Sequence, residues 1–191
     1  SAEGKERDAA LRVAARGRGP ADNPEDRSLW ERCVTRGVPE GMLPGAYNNN
    51  LQILQTRDYV LLISEMIHDA RIVPLDGRPH APPVLRSWTG DPRGRWEGDT
   101  LVVDSTNFSE RSNFRGSRAG LHLVERFRRV DEQTLEYSFT VADPSTWTRP
   151  WTVQFPMAKS TGDIYEYACH EGNYGLQNIL KAGRATDKRP E

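Results

Sequence analysis

The alternation of apolar and polar residues from position 51 onward constrains the fold of this chain most strongly. Side chains of a strand point alternately to its two faces, so a period of two predicts β-strands. The clearest case is a hairpin in which residues 95–97 and 100–104 flank the turn Gly98-Asp99. Predicted strands cover residues 51–55, 59–67, 95–97, 100–104, 121–130, 134–141, 151–156 and 164–169.

Consecutive short strands with few helices predict a mainly β fold, either an antiparallel up-and-down barrel or a strongly curved sheet. Short helices are expected only near the two ends. Residues 5–16 have a weak helical pattern, Asn23-Pro24 is a favourable helix start, and residues 173–185 follow a candidate cap at Asn173. Residues 79–92 contain four prolines, which predict a long irregular loop.

The chain length of 191 residues predicts one domain with one core. Residues 1–22 are expected to form an N-terminal arm that ends at the helix-breaking Gly17-Arg18-Gly19-Pro20 segment. Residues 23–185 form the barrel-like domain with its flanking helices. Residues 186–191 are expected to be a flexible tail.

Charge and motif content narrow the classes of function. Lys and Arg total 26 against 27 Asp and Glu, so nothing in the net charge of −1 favours a nucleic-acid partner. No apolar run is long enough to predict a membrane span, and residues 1–19 are too charged for a signal-peptide core. Phosphate-binding glycine loops, nucleophile elbows and dinucleotide fingerprints are absent, so we expect no nucleotide cofactor and no hydrolase-type serine.

Charged residues replace apolar ones at the end of the strand that starts at Tyr59. Alternation places Glu65, Asp69 and Arg71 on one face of that strand and His68 on the other. Two carboxylates beside a guanidinium can form an acid/base site with an anion-holding partner. The alternative interpretation is an ion pair at the rim of a sheet, without a catalytic role.

A second group of protic side chains lies between Tyr165 and Tyr174, where His170 shares a strand face with Glu166. Its unperturbed pKa near neutrality makes a histidine the best general acid/base candidate. The alternative for His170 is a structural hydrogen bond at the strand end.

Two further segments are candidates for substrate contact. His122 and Arg126 share a face of their strand and are either ligand contacts or part of a solvated stripe, and the Tyr47–Asn50 segment contributes either a polar contact or a turn. A metal site could draw on His68, His122 and His170, but their spacing is not diagnostic, so none is assigned.

These segments predict an enzyme that uses general acid/base chemistry of lyase, isomerase or hydrolase type on a small, carbohydrate-like or aromatic substrate. Two alternatives remain open: a non-catalytic carrier of a small apolar ligand, and a structural or partner-binding envelope protein. Oligomeric state is left open. The predicted catalytic residues are His170, Glu65, Asp69 and His68, and the predicted substrate-binding residues are Arg71, His122, Glu171, Tyr165 and Asn49.

Three segments resemble a large family of uncharacterised exported bacterial proteins: residues 72–80 (IVPLDGRPH), 94–104 (GRWEGDTLVVD) and 167–175 (YACHEGNYG). The resemblance extends over about residues 29–180. It implies a secreted or periplasmic protein whose export signal is absent from this mature chain. The expected barrel also looks like the lipocalin-type calycins, although their early Gly-x-Trp signature is not matched.

An exported protein folds under oxidising conditions, and Cys33 and Cys169 are the two cysteines of the chain. They are too far apart in sequence for a C-x-x-C zinc or redox motif. We therefore expect one disulfide that ties the helix predicted after Asn23 to the last predicted strand.

Overall fold

The computed structural model describes residues 1–187, and these residues form eight strands and two α-helices. The helices are α1 (Ala2–Ala14) and α2 (Tyr174–Asp187). The strands are β1 (Leu51–Gln55), β2 (Tyr59–Ser64), β3 (Ala70–Pro74), β4 (Asp91–Glu97), β5 (Thr100–Thr106), β6 (His122–Arg129), β7 (Thr134–Ala142) and β8 (Trp151–Ala158). The predicted mainly β fold with a helix near each end is confirmed.

Within the described residues, the strands form a three-stranded sheet in the order β1-β2-β3 and a five-stranded sheet in the order β4-β5-β6-β7-β8. Every neighbouring pair is antiparallel and consecutive in sequence. This is the meander that the hairpin pattern predicts. No backbone ladder closes the two sheets into a barrel in residues 1–187.

The core lies between the inner faces of the two sheets. Val60, Leu62 and Val73 come from the smaller sheet, while Leu123 and Phe139 are among the buried residues of the larger one. The sheets approach closely at Gly94, where a Cβ atom would lie 2.7 Å from the side chains of both Val73 and Leu75. A glycine is therefore required where β3 passes over β4.

Three polar side chains are enclosed in this core. Arg71 on β3 donates to both carboxylate oxygens of Glu125 on β6, and the hydroxyl of Tyr137 on β7 donates to Glu125 Oε1 at 2.8 Å. Burial lowers the pKa of Arg71, but the charge and hydrogen bonds of Glu125, together with the nearby Tyr137 and Asp69, outweigh burial and raise the pKa above its ordinary value. Burial also raises the pKa of Tyr137 well above its ordinary value, so its hydroxyl remains a donor.

Three expected elements differ in the structure. Residues 164–169 form no strand, and the strand predicted over residues 59–67 ends at Ser64. A single 3₁₀ turn over Pro24–Asp26 replaces the expected helix at Asn23. The turn ends at Arg27, whose backbone is extended (φ −97°, ψ 154°) and therefore does not continue into a helix.

Covalent and polar contacts join the segment around Cys33 to the segment that leads into α2. Cys33 and Cys169 form the expected disulfide, with their Cα atoms 5.8 Å apart. Asn173 caps α2 by accepting from the Leu176 N–H, and its side-chain amide donates to the Glu31 carbonyl. Helix α2 includes residues 186 and 187 of the expected tail, and residues 188–191 of that prediction lie outside the described residues.

Candidate functional site

Two histidines and two aspartates meet on the outer face of the five-stranded sheet, and we call His80, Asp91, Asp104 and His122 the histidine–aspartate cluster. Asp104 on β5 lies beside Arg93 on β4 in the strand register. Because Asp104 also pairs with Val124 on β6, His122 is its diagonal neighbour on the same face. His80 comes from the loop between β3 and β4.

Asp104 is the centre of the cluster because one of its carboxylate oxygens contacts both imidazoles. Its Oδ1 lies 2.9 Å from His122 Nε2 and 3.2 Å from His80 Nε2. The other ring nitrogen of His80, Nδ1, lies 3.0 Å from Asp91 Oδ2. His80 therefore faces a carboxylate at each nitrogen, and only its doubly protonated form can donate to both at once.

Asp91 anchors the loop that carries His80. Its carboxylate accepts from the Ala81 backbone N–H at 2.8 Å and from Arg93 at 2.6 Å. Partial burial opposes ionisation, but the hydrogen bonds from Ala81, His80 and Arg93 outweigh it and hold the pKa of Asp91 below its ordinary range. Asn107 adds a hydrogen bond to the Ala81 carbonyl. These contacts position His80 although its loop has little regular structure.

His122 is the most accessible member of the cluster, with its side chain 47% exposed against 30% for His80 and 28% for Asp104. Its Nε2 is the nitrogen next to Asp104. A carboxylate in that position orients an imidazole and stabilises the imidazolium that forms when the other nitrogen takes a proton. The arrangement is therefore suited to reversible proton transfer at His122 Nδ1.

The residues predicted to be catalytic around Ser64–Arg71 are divided among separate groups. Glu65 is buried and accepts from the side-chain amides of Asn48 and Asn50, which hold the segment before β1. Asp69 accepts from Thr35 Oγ1 at 2.7 Å and from the Arg36 N–H. Arg71, predicted to bind substrate, lies in the core beside Glu125.

The alternation expected through this segment is wrong, because the chain reverses at Met66–His68 between β2 and β3. Ile67 and His68 adopt positive φ angles of 61° and 46°, which interrupt the strand. Glu65, Asp69 and Arg71 consequently do not share one strand face. His68 is exposed at this turn.

The predicted site residues near the C-terminus lie in irregular chain. His170, Glu171 and Tyr165 are all exposed, and the strand expected to align His170 with Glu166 is absent. Asn49 is exposed next to Gly45 and lines a cleft beside β1. Of the nine predicted site residues, His122 belongs to the histidine–aspartate cluster; His80, Asp91 and Asp104 were not predicted.

Two clefts stand out in the described part of the molecule. One, of about 1040 Å³, lies between residues 25–40 and residues 108–121. The other, of about 1120 Å³, lies between β1 and β8. Neither is lined by the histidine–aspartate cluster, whose imidazoles are 30% and 47% exposed.

Among residues 1–187, no group of three or more His, Cys, Asp or Glu side chains has the arrangement of a metal site. His68, His122 and His170 are thus not brought together as a metal site. No helix in the same residues is long and apolar enough to cross a membrane.

Comparisons with family models, with curated proteins and with solved structures each found no match to this chain.

Proposed function

We propose that the protein is a small-molecule enzyme of general acid/base type whose reacting group is His122. The observation that carries this proposal is the contact of Asp104 Oδ1 with two imidazoles, one of them half-exposed. An imidazole titrates nearest to neutral pH among the ordinary side chains, so it can both take and return a proton.

Each member of the cluster has a distinct part in the proposed reaction. His122 removes a proton from the substrate through Nδ1, and Asp104 stabilises the resulting imidazolium. His80 and Asp91 are positioning residues, because they hold Asp104 and the overlying loop in place. The proton returns from His122 to product or leaving group, which is the chemistry shared by lyases, isomerases and hydrolases of small carbohydrate-like or aromatic compounds.

Chemical modification tests the proposed activation of His122 without knowledge of the substrate. Diethyl pyrocarbonate modifies neutral imidazole nitrogens, and mass spectrometry of peptides gives a separate rate for each histidine. At about pH 8.5, where ordinary imidazoles are neutral, we expect Asp104→Asn to slow modification of His122 severalfold, because an amide stabilises the positive charge that develops on the ring during attack less than a carboxylate does. The exposed His68 and His170 are internal controls whose rates should not change. An unchanged rate at His122 contradicts the proposal.

The second candidate function is a carrier of a small apolar ligand, favoured by the cleft between β1 and β8. Its walls include the partly buried side chains of Leu43, Leu135, Phe155 and Met157. A carrier should enhance the fluorescence of an apolar dye, and Met157→Glu should abolish that enhancement. Dye binding that survives this substitution contradicts a ligand in this cleft.

We also infer that the two sheets together form one strongly curved, lipocalin-like arrangement. We further infer that the chain belongs to the exported family it resembles and is secreted or periplasmic. The close approach of β3 to β4 at Gly94 supports the curvature. The Cys33–Cys169 disulfide supports an oxidising compartment, where such bonds persist. Fractionation of cells that express the gene with its upstream sequence tests the location.

A further inference from the structure

The cleft between residues 25–40 and residues 108–121 has a strong excess of positive charge, although the whole chain has a net charge of −1. Among the described residues, two glutamates, Glu25 and Glu40, contribute negative charge to its lining. Its positive charge comes from six arginines: Arg27, Arg32, Arg36, Arg111, Arg115 and Arg118.

Half of these arginines have no carboxylate partner in residues 1–187. Arg36, Arg111 and Arg118 form no ion pair there, and Arg118 donates only a long hydrogen bond of 3.4 Å to the Glu110 carbonyl. The side chain of Arg115 is 62% exposed and lies 3.7 Å from Glu40. Because arginines outnumber glutamates in the lining, the cleft has a positive field even where single pairs form.

The floor of the cleft is apolar. Phe108, Phe114 and Leu121 are almost fully buried beneath it, and Trp88 contributes to the wall. Opposite them, the guanidinium of Arg36 lies 4.5 Å from the ring centroid of Trp30. Stacking on tryptophan leaves the in-plane N–H donors of a guanidinium available for acidic oxygens.

The wall that carries Arg32 and Arg36 is held by covalent and polar contacts. Cys33 lies between these arginines and is bonded to Cys169, while the Arg36 backbone N–H donates to Asp69. A cleft with fixed donors binds a ligand at a lower entropic cost than a flexible one.

We propose that this cleft binds a small organic polyanion with several phosphate or carboxylate groups on a compact ring or apolar scaffold. Arginines bind such groups through paired charge-assisted hydrogen bonds, and walls of one sign concentrate anions between them. The scaffold of the ligand would lie on the apolar floor. This proposal concerns a different surface from the histidine–aspartate cluster and does not depend on the acid/base function.

Isothermal titration calorimetry with myo-inositol hexakisphosphate and with citrate tests the proposal, and myo-inositol is the uncharged control. We expect at least one polyanion to bind and myo-inositol not to bind; the preferred polyanion identifies phosphate or carboxylate as the recognised group. The triple substitution Arg111→Gln, Arg115→Gln and Arg118→Gln should weaken binding about tenfold or more. Substituting the exposed Arg57, Arg149 and Arg184 with Gln removes the same charge outside the cleft and should have much less effect.

Arg111→Gln alone provides a variant that should fold normally, because the Arg111 side chain makes no hydrogen bond within residues 1–187. It should weaken binding severalfold at an unchanged melting temperature. Absence of binding by both polyanions overturns the proposal. An equal loss in the two triple variants also overturns it, since that result indicates general charge attraction rather than a site.

Discussion

Arg71 and Glu125 form a bidentate ion pair in the middle of the core, where their side chains are 4% and 0% exposed. The pair joins β3 of the smaller sheet to β6 of the larger one, and Tyr137 supplies a further hydrogen bond to the carboxylate. Buried charges of this kind are tolerated only when each is paired. Arg71 is thus a structural residue in this geometry rather than a free anion-binding group.

Removing one member of this pair should destabilise the protein more than removing the whole polar group. We expect Arg71→Met or Glu125→Leu alone to lower the free energy of unfolding by about 3–5 kcal/mol, because each leaves an unpaired buried charge. The combined Arg71→Met, Glu125→Leu and Tyr137→Phe variant should recover much of this loss. Urea denaturation measures both effects. Single and combined substitutions with additive costs would contradict a coupled buried pair.

Asp143 should contribute to stability in a pH-dependent way. Burial opposes ionisation of Asp143, but hydrogen bonds from Ser117, Thr146 and Ser145 outweigh this effect and lower its pKa. Because the pKa is lower in the folded state, ionised Asp143 stabilises the fold above its unfolded-state pKa of about 4. This stabilisation is lost as the pH falls through the folded-state pKa. Asp143→Asn should therefore lower the free energy of unfolding at neutral pH and give a shallower loss on acidification.

The control for this experiment is Asp163→Asn, since Asp163 is an exposed aspartate without a side-chain hydrogen bond in residues 1–187. Its urea denaturation curves should follow those of the wild type between neutral and acidic pH. If Asp143→Asn also follows the wild type, the hydrogen bonds to Asp143 contribute nothing measurable.

The Cys33–Cys169 disulfide closes a sequence separation of 136 residues. In the chain-entropy model, closing a loop of this length restricts the unfolded chain and so stabilises the folded state by roughly 4 to 5 kcal/mol. We expect Cys33→Ser with Cys169→Ser to lower the free energy of unfolding by up to this amount, measured by urea denaturation. Reductant should destabilise the wild type but not the double variant. Two free thiols in the denatured, unreduced protein would contradict the bond.

Much of the sheet follows from local sequence. The two-residue turn at Gly98-Asp99 fixes the register of β4 and β5, and this register places Arg93 opposite Asp104. Asp91 lies two residues before Arg93 and therefore on the same face of β4. The sequence is thus enough to place Asp91 and Asp104 on one face of the sheet. His80 could not, because it reaches them from an irregular loop held by long-range contacts to Asp91 and Asp104.

The expected elements that are absent were overridden by local and tertiary contacts. The Ser64–Arg71 segment has a strand-like pattern, but positive φ angles at Ile67 and His68 reverse the chain there. Residues 164–169 have the alternating side chains of a strand but no neighbouring strand to pair with. The disulfide at Cys169 instead attaches this part of the chain to the N-terminal segment. Periodicity alone contains no information about such partners.

Turnover of a panel of aryl glycosides, aryl esters and polyuronates measures proton transfer by His122 with the support of Asp104. These substrates report hydrolysis and β-elimination. The control is Arg126→Gln on the same face of β6, because the exposed pair that Arg126 forms with Glu97 at 2.8 Å assigns it to a solvated stripe rather than to ligand contact. We predict that the wild type and Arg126→Gln turn over at least one substrate, and that His122→Gln lowers its kcat/KM by about a hundredfold or more at an unchanged melting temperature. No turnover by the wild type, or turnover that survives His122→Gln, would contradict proton transfer by His122.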